Sequence, residues 1–507
     1  MKKQIKLLLL LCIPLMGYTQ NFSGFQYDNY AGLHAVSANP AFLVGSPYRA
    51  DINLASVSLT LNNDYIPFDL SKAISGKPEE FDDAKKNATP SSSNNFLLGT
   101  DIFGPSFMFN INEVSAFAVT SKVRSYISIT GINGESYDYF NNGFEQDNDY
   151  SFGIKSANIT THVWGEVGFS YARIIDLDND ATLKLGITAK YLQGLGNTFI
   201  AFDDFQADYD SVANTLNTSG EISYGSSVDF ESGEYQVSSG AKGYGFDIGV
   251  VYQFSPDAIE GKNFNNFERY KFRLAASITD IGKVTYPEGI QTTYNVTRNN
   301  ITITELEAED DLEDVLDALY PGQSSTKDLS VKLPTALHLN IDYNINNSFY
   351  VNLNTDFGLG DDSNNANRII NKYSLTPRFE RKWASVYSPL SLDGFDNFSW
   401  GFGFRLGPLF VGSNTILSNL MKPTKKVDAH LGLKIPLFKR SKLKKEQDNN
   451  KEATQGNPDL LNKETIKKNK AEKKAKEKRD KELLKKQKEE KKAKEKEKEK
   501  LEKEVKK

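Results

Sequence analysis

An alternation of period two runs through this chain, and Gly243 to Phe254 carries it most completely. Tyr244, Phe246, Ile248, Val250, Tyr252 and Phe254 are apolar, while the positions between them are mostly small or polar: Gly243, Gly245, Asp247, Gly249 and Gln253. Successive side chains of a strand point to opposite faces, so this stretch is a strand with one apolar and one polar face. Aromatic residues stand at both ends and aliphatic ones in the middle, over about the 9 to 11 residues that a tilted strand needs to cross a hydrocarbon layer. The same strand would also suit the core of a soluble sandwich. Repetition decides between the two.

The pattern recurs in pairs. Phe107, Phe109 and Ile111 turn at Asn112-Glu113 into Phe117, Val119 and Val123. Val163, Gly165, Val167, Phe169 and Tyr171 are answered across Asp176 to Asp180 by Leu183, Leu185, Ile187, Ala189 and Tyr191. Gly243 to Phe254 is followed by Tyr270, Phe272, Leu274, Ala276 and Ile278, and Leu333 to Tyr343 returns through Asn344 to Asn347 into Phe349, Val351, Leu353 and Phe357. Each pair reads as a β-hairpin. Ile52 to Leu61 alternates with a change of phase between Leu54 and Val57, which predicts a bulge. Phe398 to Leu406 and Val427 to Phe438 complete the set.

Between the hairpins lie long polar segments, Asn62 to Gly104, Thr130 to Thr161, Gly196 to Lys242, Pro287 to Lys332 and Gly358 to Lys372. Short and long connections therefore alternate, which is the rule of a transmembrane barrel with tight turns on the periplasmic side and long loops outside. Within one loop, Leu306, Leu312, Val315, Leu316 and Leu319 recur at helical spacing and predict a short surface helix over Glu305 to Tyr320. Ile248 lies mid-strand on the apolar phase, so arginine there should be costly. A change at Gly249, on the other phase, should be mild.

The two ends differ from this body. Met1 to Gln20 opens with Lys2, Lys3 and Lys6, continues through the apolar Leu7 to Met16 and ends in Gly-Tyr-Thr-Gln, the three-part layout of a secretory signal. Residues 439–507 hold 28 Lys and Arg against 16 Asp and Glu, a balance of +12; with the whole chain at −5, the remainder stands at −17. From Glu464 to Lys507 Glu and Lys stand three or four apart with almost no apolar residue, so the tail is a charged helix or a disordered spacer, or else a basic arm for an anionic polymer.

Chemistry finds little footing. Cys12, inside the signal, is the chain's one cysteine, which leaves no disulfide, thiolate metal site or cysteine nucleophile in the mature protein. His34, His162, His338 and His430 lie on separate segments without ligand spacing, and Asp176 to Asp180 lacks the Gly and the bidentate Glu of a calcium loop. No nucleotide-binding, nucleophile-elbow or triad motif stands out, so the sequence supports neither an enzyme nor a cofactor, metal or nucleic-acid partner. Lys184, Lys190, Lys271, Arg273, Asp342, Asp356 and Arg405 fall on the polar phase and are the candidate lumen-facing charges, expected to pair with one another. Asn39 and Pro40 form a turn signature ahead of the first strand, a candidate gating turn.

Asn39 to Ala41, Leu185 to Gly194, Thr279 to Gly282 and the closing Gly432 to Leu437 together resemble outer-membrane barrels of unknown function common in Bacteroidota, which are similar to the FadL-type transporter superfamily. The resemblance covers about residues 21 to 438. It implies an all-β transmembrane antiparallel barrel of about 14 strands, with 12 as the alternative, and an N-terminal segment near or inside the lumen. Relatives of this kind often carry an OmpA-like domain after the barrel, where this chain has its Lys/Glu tail. The expected organisation is a signal peptide over 1–20, a lumen segment over 21–50, the barrel over 51–438 and a periplasmic tail over 439–507, embedded in outer-membrane lipid, with peptidoglycan or another envelope protein as the tail's partner.

Two functions remain open on the sequence. One is a channel or transporter for a small solute, hydrophobic ones included; the other is a structural or assembly component of the envelope without transport. A lateral opening lined by apolar residues favours the first, and a filled lumen favours the second.

Overall fold

The structure, a computed structural model, describes Phe22 and residues 24–439 apart from 76–87, 135–147, 179, 228–239, 257–269, 307, 309–311, 347, 361–366, 368 and 396. The stretch expected to be a signal, residues 1–20, and the tail after residue 439 lie outside the described residues.

Fourteen strands follow one another round the wall in chain order. They are β1 (Tyr48–Asn63), β2 (Asn94–Phe103, resuming as Ser106–Asn110), β3 (Ser115–Ile132), β4 (Tyr150–Asp178) and β5 (Ala181–Asp210). Next come β6 (Thr215–Ser226, resuming as Lys242–Phe254), β7 (Phe272–Asn295), β8 (Gly322–Lys332, resuming as Ala336–Asn344), β9 (Phe349–Gly358) and β10 (Lys372–Glu380). The last are β11 (Ala384–Tyr387, resuming as Leu390–Asp393), β12 (Phe398–Trp400, resuming as Phe402–Leu406), β13 (Leu409–Ser413) and β14 (Lys426–Phe438). Every neighbouring pair is antiparallel. β14 pairs back onto β1 from Tyr48 opposite Phe438 to Asn62 opposite Lys426, which closes the sheet. Closure leaves the barrel no free edge along this seam. The predicted bulge in β1 falls between Asn53 and Ala55, where the register with β14 shifts.

The expected hairpins are present, and their tight turns gather at one end of the barrel together with Tyr48 and Phe438. This is the turn end. Most connections at the opposite, loop end are longer, although residues 211–214 and 394–397 are short there too. Midway up the wall the outward side chains are apolar and bare: Phe169, Ile187, Ile248 and Leu353 are each 45–50% exposed, while their sequence neighbours face inward. An apolar belt of this kind, on strands that satisfy one another's backbone groups, is built for lipid. No helix among the described residues is long and apolar enough to cross a membrane.

Three of the segments expected to be polar loops prove to be largely strand. β4 to β8 run on past the belt, and within Thr130 to Thr161, Gly196 to Lys242 and Pro287 to Lys332 lie residues 150–161, 196–210, 215–226, 287–295 and 322–332 of those strands. The pattern there is inverted: Tyr150, Phe152, Ile154, Phe205, Tyr209, Leu216 and Tyr294 point inward, and polar residues face out. Once the wall leaves the lipid its apolar face must turn inside. The helices α3 (Ile303–Leu306) and α4 (Leu312–Leu319) close this outer core, α4 through Leu316 and Leu319. The predicted surface helix therefore packs its apolar face. At the start of α3, Glu305 accepts hydrogen bonds from the Thr302 backbone and hydroxyl and from Arg298, which hold its carboxyl below the usual range.

One stretch of wall is not strand at all. β13 ends at Ser413, so residues 398–400 of β12 and 426–429 of β14 have no strand between them. The helix α5 (Ile416–Met421) fills that gap and touches both neighbours. Its surroundings supply the missing hydrogen bonds: Trp400 N donates to Ser418 Oγ at 2.7 Å, and the Asp428 carboxylate accepts from Asn414 N at 2.8 Å and the Thr415 hydroxyl at 2.8 Å. Irregular backbone at membrane depth survives only when satisfied in this way.

Candidate functional site

The lumen is filled from the turn end upward. Residues 24–47 fold inside it as a plug of short turns and the helix α1 (Leu33–Val36). Phe22, Phe25, Leu33 and Leu43 pack against Phe103 of β2, Ala116 of β3 and Phe410 of β13, with the Phe25 and Phe410 rings stacked at 4.1 Å. Polar ties fix the plug to separate parts of the wall. Lys434 donates to the Tyr30 and Ala31 carbonyls at 2.6 and 3.0 Å, Asp51 accepts from Leu33 N at 3.1 Å, and Glu380 accepts from Asn29 Nδ2 at 2.8 Å.

The Asn39-Pro40 turn has a seat of its own. Asn39 Oδ1 accepts from Ala41 N at 2.9 Å, which caps the short helical turn begun by Pro40, and its Nδ2 donates to the carbonyls of Val250 and Ala276 at 3.3 and 3.1 Å. Beneath it Gly186 of β5 and Gly249 of β6 stand opposite each other in register. A Cβ at Gly186 would run into the Pro40 backbone, and one at Gly249 into the Asn39 side chain. Two cross-strand glycines thus make a hollow for the turn. The expectation that Gly249 tolerates change is corrected by this contact: Gly249→Ser is now expected to lift the turn at about 1–3 kcal/mol, the usual range for overpacking. Limited proteolysis of the N-terminal segment in folded protein checks this, since an unchanged cleavage rate would mean the seat is slack.

Above the plug lies a layer of buried charge drawn from six successive strands. Arg124 of β3 holds Asp101 of β2 at 2.7 Å and Asp280 of β7 at 2.8 Å, with Glu166 of β4 at 3.6 Å. Lys190 of β5 holds Asp280 at 2.6 Å and Asp247 of β6 at 2.7 Å, and Lys122 reaches Glu166 at 3.5 Å. Elsewhere on the inner wall, Arg273 and Arg378 share Asp342 at 2.6 and 3.0 Å close to the plug's Phe42, Asp356 receives Lys372 at 3.3 Å and His338 at 2.6 Å, and Lys426 meets Asp393 at 3.0 Å. Beyond this layer Tyr126, Trp164, Leu192, Phe199, Tyr286 and Leu329 form an apolar one.

Of the sequence candidates, Lys184, Lys190, Arg273, Asp342, Asp356 and Arg405 are buried on the inner phase. Lys271 instead sits half-buried at the turn end, its ammonium 4.7 Å from the ring centre of the outward Tyr343. Asp28 of the plug lies 3.8 Å from Arg405. The sequence reading did not single out Arg124, Asp101, Glu166, Asp280, Lys434 or Gly186. The inward phase of each strand was readable; which strands would face one another was not. The four histidines do not converge: His34 and His430 both pack against Phe22 and bond Ser56 and Tyr387, while His162 bonds Asn367 and His338 bonds Asp356. Among the described residues no group of three His, Cys, Asp or Glu is placed to hold a metal.

At the loop end the filling stops short of the rim. A cavity of about 280 Å³ lies there, bounded by Phe96 and Leu97 of β2, Ile129 of β3, Ile369 and Ile370 of the β9–β10 connection and Phe395. Asn95, Ser128, Thr130 and Asn371 supply its polar lining.

A closed antiparallel wall with a lipid-facing belt, a plug folded into its lumen and a cavity at its mouth define a transmembrane β-barrel of the outer-membrane type. The chain belongs to a family of unknown function, DUF5723, whose model matches residues 40–414. No match is found among curated proteins. Similar solved structures include the Ralstonia pickettii toluene transporter TbuX, 11% identical with a TM-score of 0.40 over 84% of this chain and 100% of that one. The P. putida toluene transporter TodX is 10% identical with a TM-score of 0.42, over 81% and 95%. A Pseudomonas aeruginosa FadL homologue is 12% identical with a TM-score of 0.37, over 83% and 96%.

Proposed function

We propose that the protein carries a small hydrophobic solute across the outer membrane, taking it up at the loop end, with the turn end and the tail in the periplasm. The mouth cavity carries this reading. Its volume stands just below the roughly 300–1,000 Å³ of typical small-molecule sites, and its lining is mixed: apolar side chains with a few polar groups among them. The wall gap closed by α5 supports it as well, because a helix set between two strand edges can move without breaking a ladder. The test is uptake of a radiolabelled monoaromatic hydrocarbon by protein in liposomes. Wild-type vesicles are expected to load faster than empty ones, and Ile370→Asp, which puts a charge into the cavity, should reduce the rate at least about tenfold, the equivalent of 1.4 kcal/mol. Equal rates in wild type and Ile370→Asp, with both proteins folded, would remove the cavity from the path.

The filled lumen favours the second reading, a structural or assembly component of the envelope. Plug, charge layer and apolar layer obstruct the axis of the barrel, and the basic tail offers a tether to anionic wall polymer. Folded protein that takes up no solute would decide for it.

A further inference from the structure

At the loop-end rim two short helices from different connections touch, α2 (Leu70–Ile74) after β1 and α5 in the wall gap. Their connections are laced together, Phe68 N donating to the Thr424 carbonyl at 2.7 Å and Thr424 N to the Phe68 carbonyl at 3.1 Å. The pair leaves Ile74, Leu420 and Met421 bare at 66, 53 and 73% exposure. Lys72 on α2 and Lys422 just after α5 are exposed beside them. Asp69, the carboxylate at the start of α2, accepts from Ser71 and from Lys72 N of its own helix, and the Lys72 charge acts on it as well.

We infer that this patch is a binding site for a phosphate-bearing lipid of the outer leaflet. The occupant follows from position and charge. α5 stands in the wall beside Trp400 and Phe402, which belong to the lipid-facing belt, so its bare apolar residues continue that belt upward. What lies against a belt is acyl chain. Lysines at the upper margin of such a surface reach the headgroup level and attract phosphate. The lipid would lay its chains on Leu420, Met421 and Ile74 and hold its phosphate near Lys72 and Lys422. In that position it also covers the stretch where β13 falls short between β12 and β14, so a bound lipid would steady α5.

The test uses the full chain in detergent, offered bisphosphorylated lipid A and the same lipid without its phosphates, with the retained adduct weighed by native mass spectrometry. Wild type should retain the phosphorylated form with a preference of roughly tenfold, since each surface lysine contributes about a fivefold attraction and part of that is screened. Lys72→Gln with Lys422→Gln should bring the two forms to parity, while Leu420→Ser with Met421→Ser should lower retention of both. Parity in wild type, or an undiminished preference in the double lysine variant, overturns the proposal. So does displacement of the lipid by millimolar inorganic phosphate, which would mark a site for the free anion, or a dimer mass in place of the lipid adduct, which would mean that a second copy covers the patch.

Discussion

Arg124→Met is expected to destabilise the barrel by about 3–5 kcal/mol, the cost of breaking a buried ion pair so that charge is left without its partner. Arg124 is 2% exposed and donates to Asp101, Asp280 and the Tyr126 hydroxyl, and its guanidinium lies 5.0 Å from the Trp164 ring centre. Methionine keeps much of the volume but removes the cation. Lys122 and Lys190 would then face Asp101, Glu166, Asp247 and Asp280, two positive groups against four carboxylates. Lysine at the same place restores the charge but not the forked geometry, so Arg124→Lys should recover only part of the loss. Urea titration of lipid-embedded protein measures the difference. A shift below about 1 kcal/mol for Arg124→Met would show that water enters the layer and screens it.

Ile248→Arg is the second large effect, about 2–4 kcal/mol for a cation on the lipid face at the bilayer midplane. Ile248 is 49% exposed and stands opposite Ile187 and Ile278 on the neighbouring strands, so it has lipid before it and strand on either side. Leu437 faces outward too, but it is the next-to-last residue of β14, at the turn end. Arginine there reaches the interface, and Leu437→Arg should cost no more than about 1 kcal/mol. The same titration applied to both variants checks the gradient. Equal costs would mean that the outward face meets something other than a bilayer.

The parts of this fold legible in the sequence are those where lipid dictates the pattern. Phe117 to Val123, Val163 to Tyr171 and Leu183 to Tyr191 announce themselves because the outward phase is apolar and the inward phase small or polar. The rule fails once a strand leaves the bilayer: Phe199, Phe205 and Tyr209 are strand residues of the opposite phase, and a bulge near Leu195 separates the two regimes. β11 and β13 escape notice for another reason, since pieces of four or five residues carry too little periodicity to read. The plug's turn was visible in Asn39 and Pro40, but its seat was not. Gly186 and Gly249 become meaningful only when the register of β5 against β6 sets them side by side; the signal available was a glycine on an inward phase that otherwise carries Lys184, Thr188 and Lys190. Arg124 and Asp280, 156 residues apart, are likewise partners only in the closed ring.

The bond from Lys434 to the Tyr30 carbonyl spans 404 residues, nearly the whole described chain. That single distance sets an order of events. The plug precedes every strand of the barrel in the chain, yet one of its anchors belongs to the last strand, and closing so long a loop is a late and slow step. Until β14 joins β1, Phe25, Leu33 and Leu43 have no finished lumen to enter. The plug's apolar groups therefore stay uncovered until the ring closes, and anything that delays closure lengthens the time in which they are open to wrong partners.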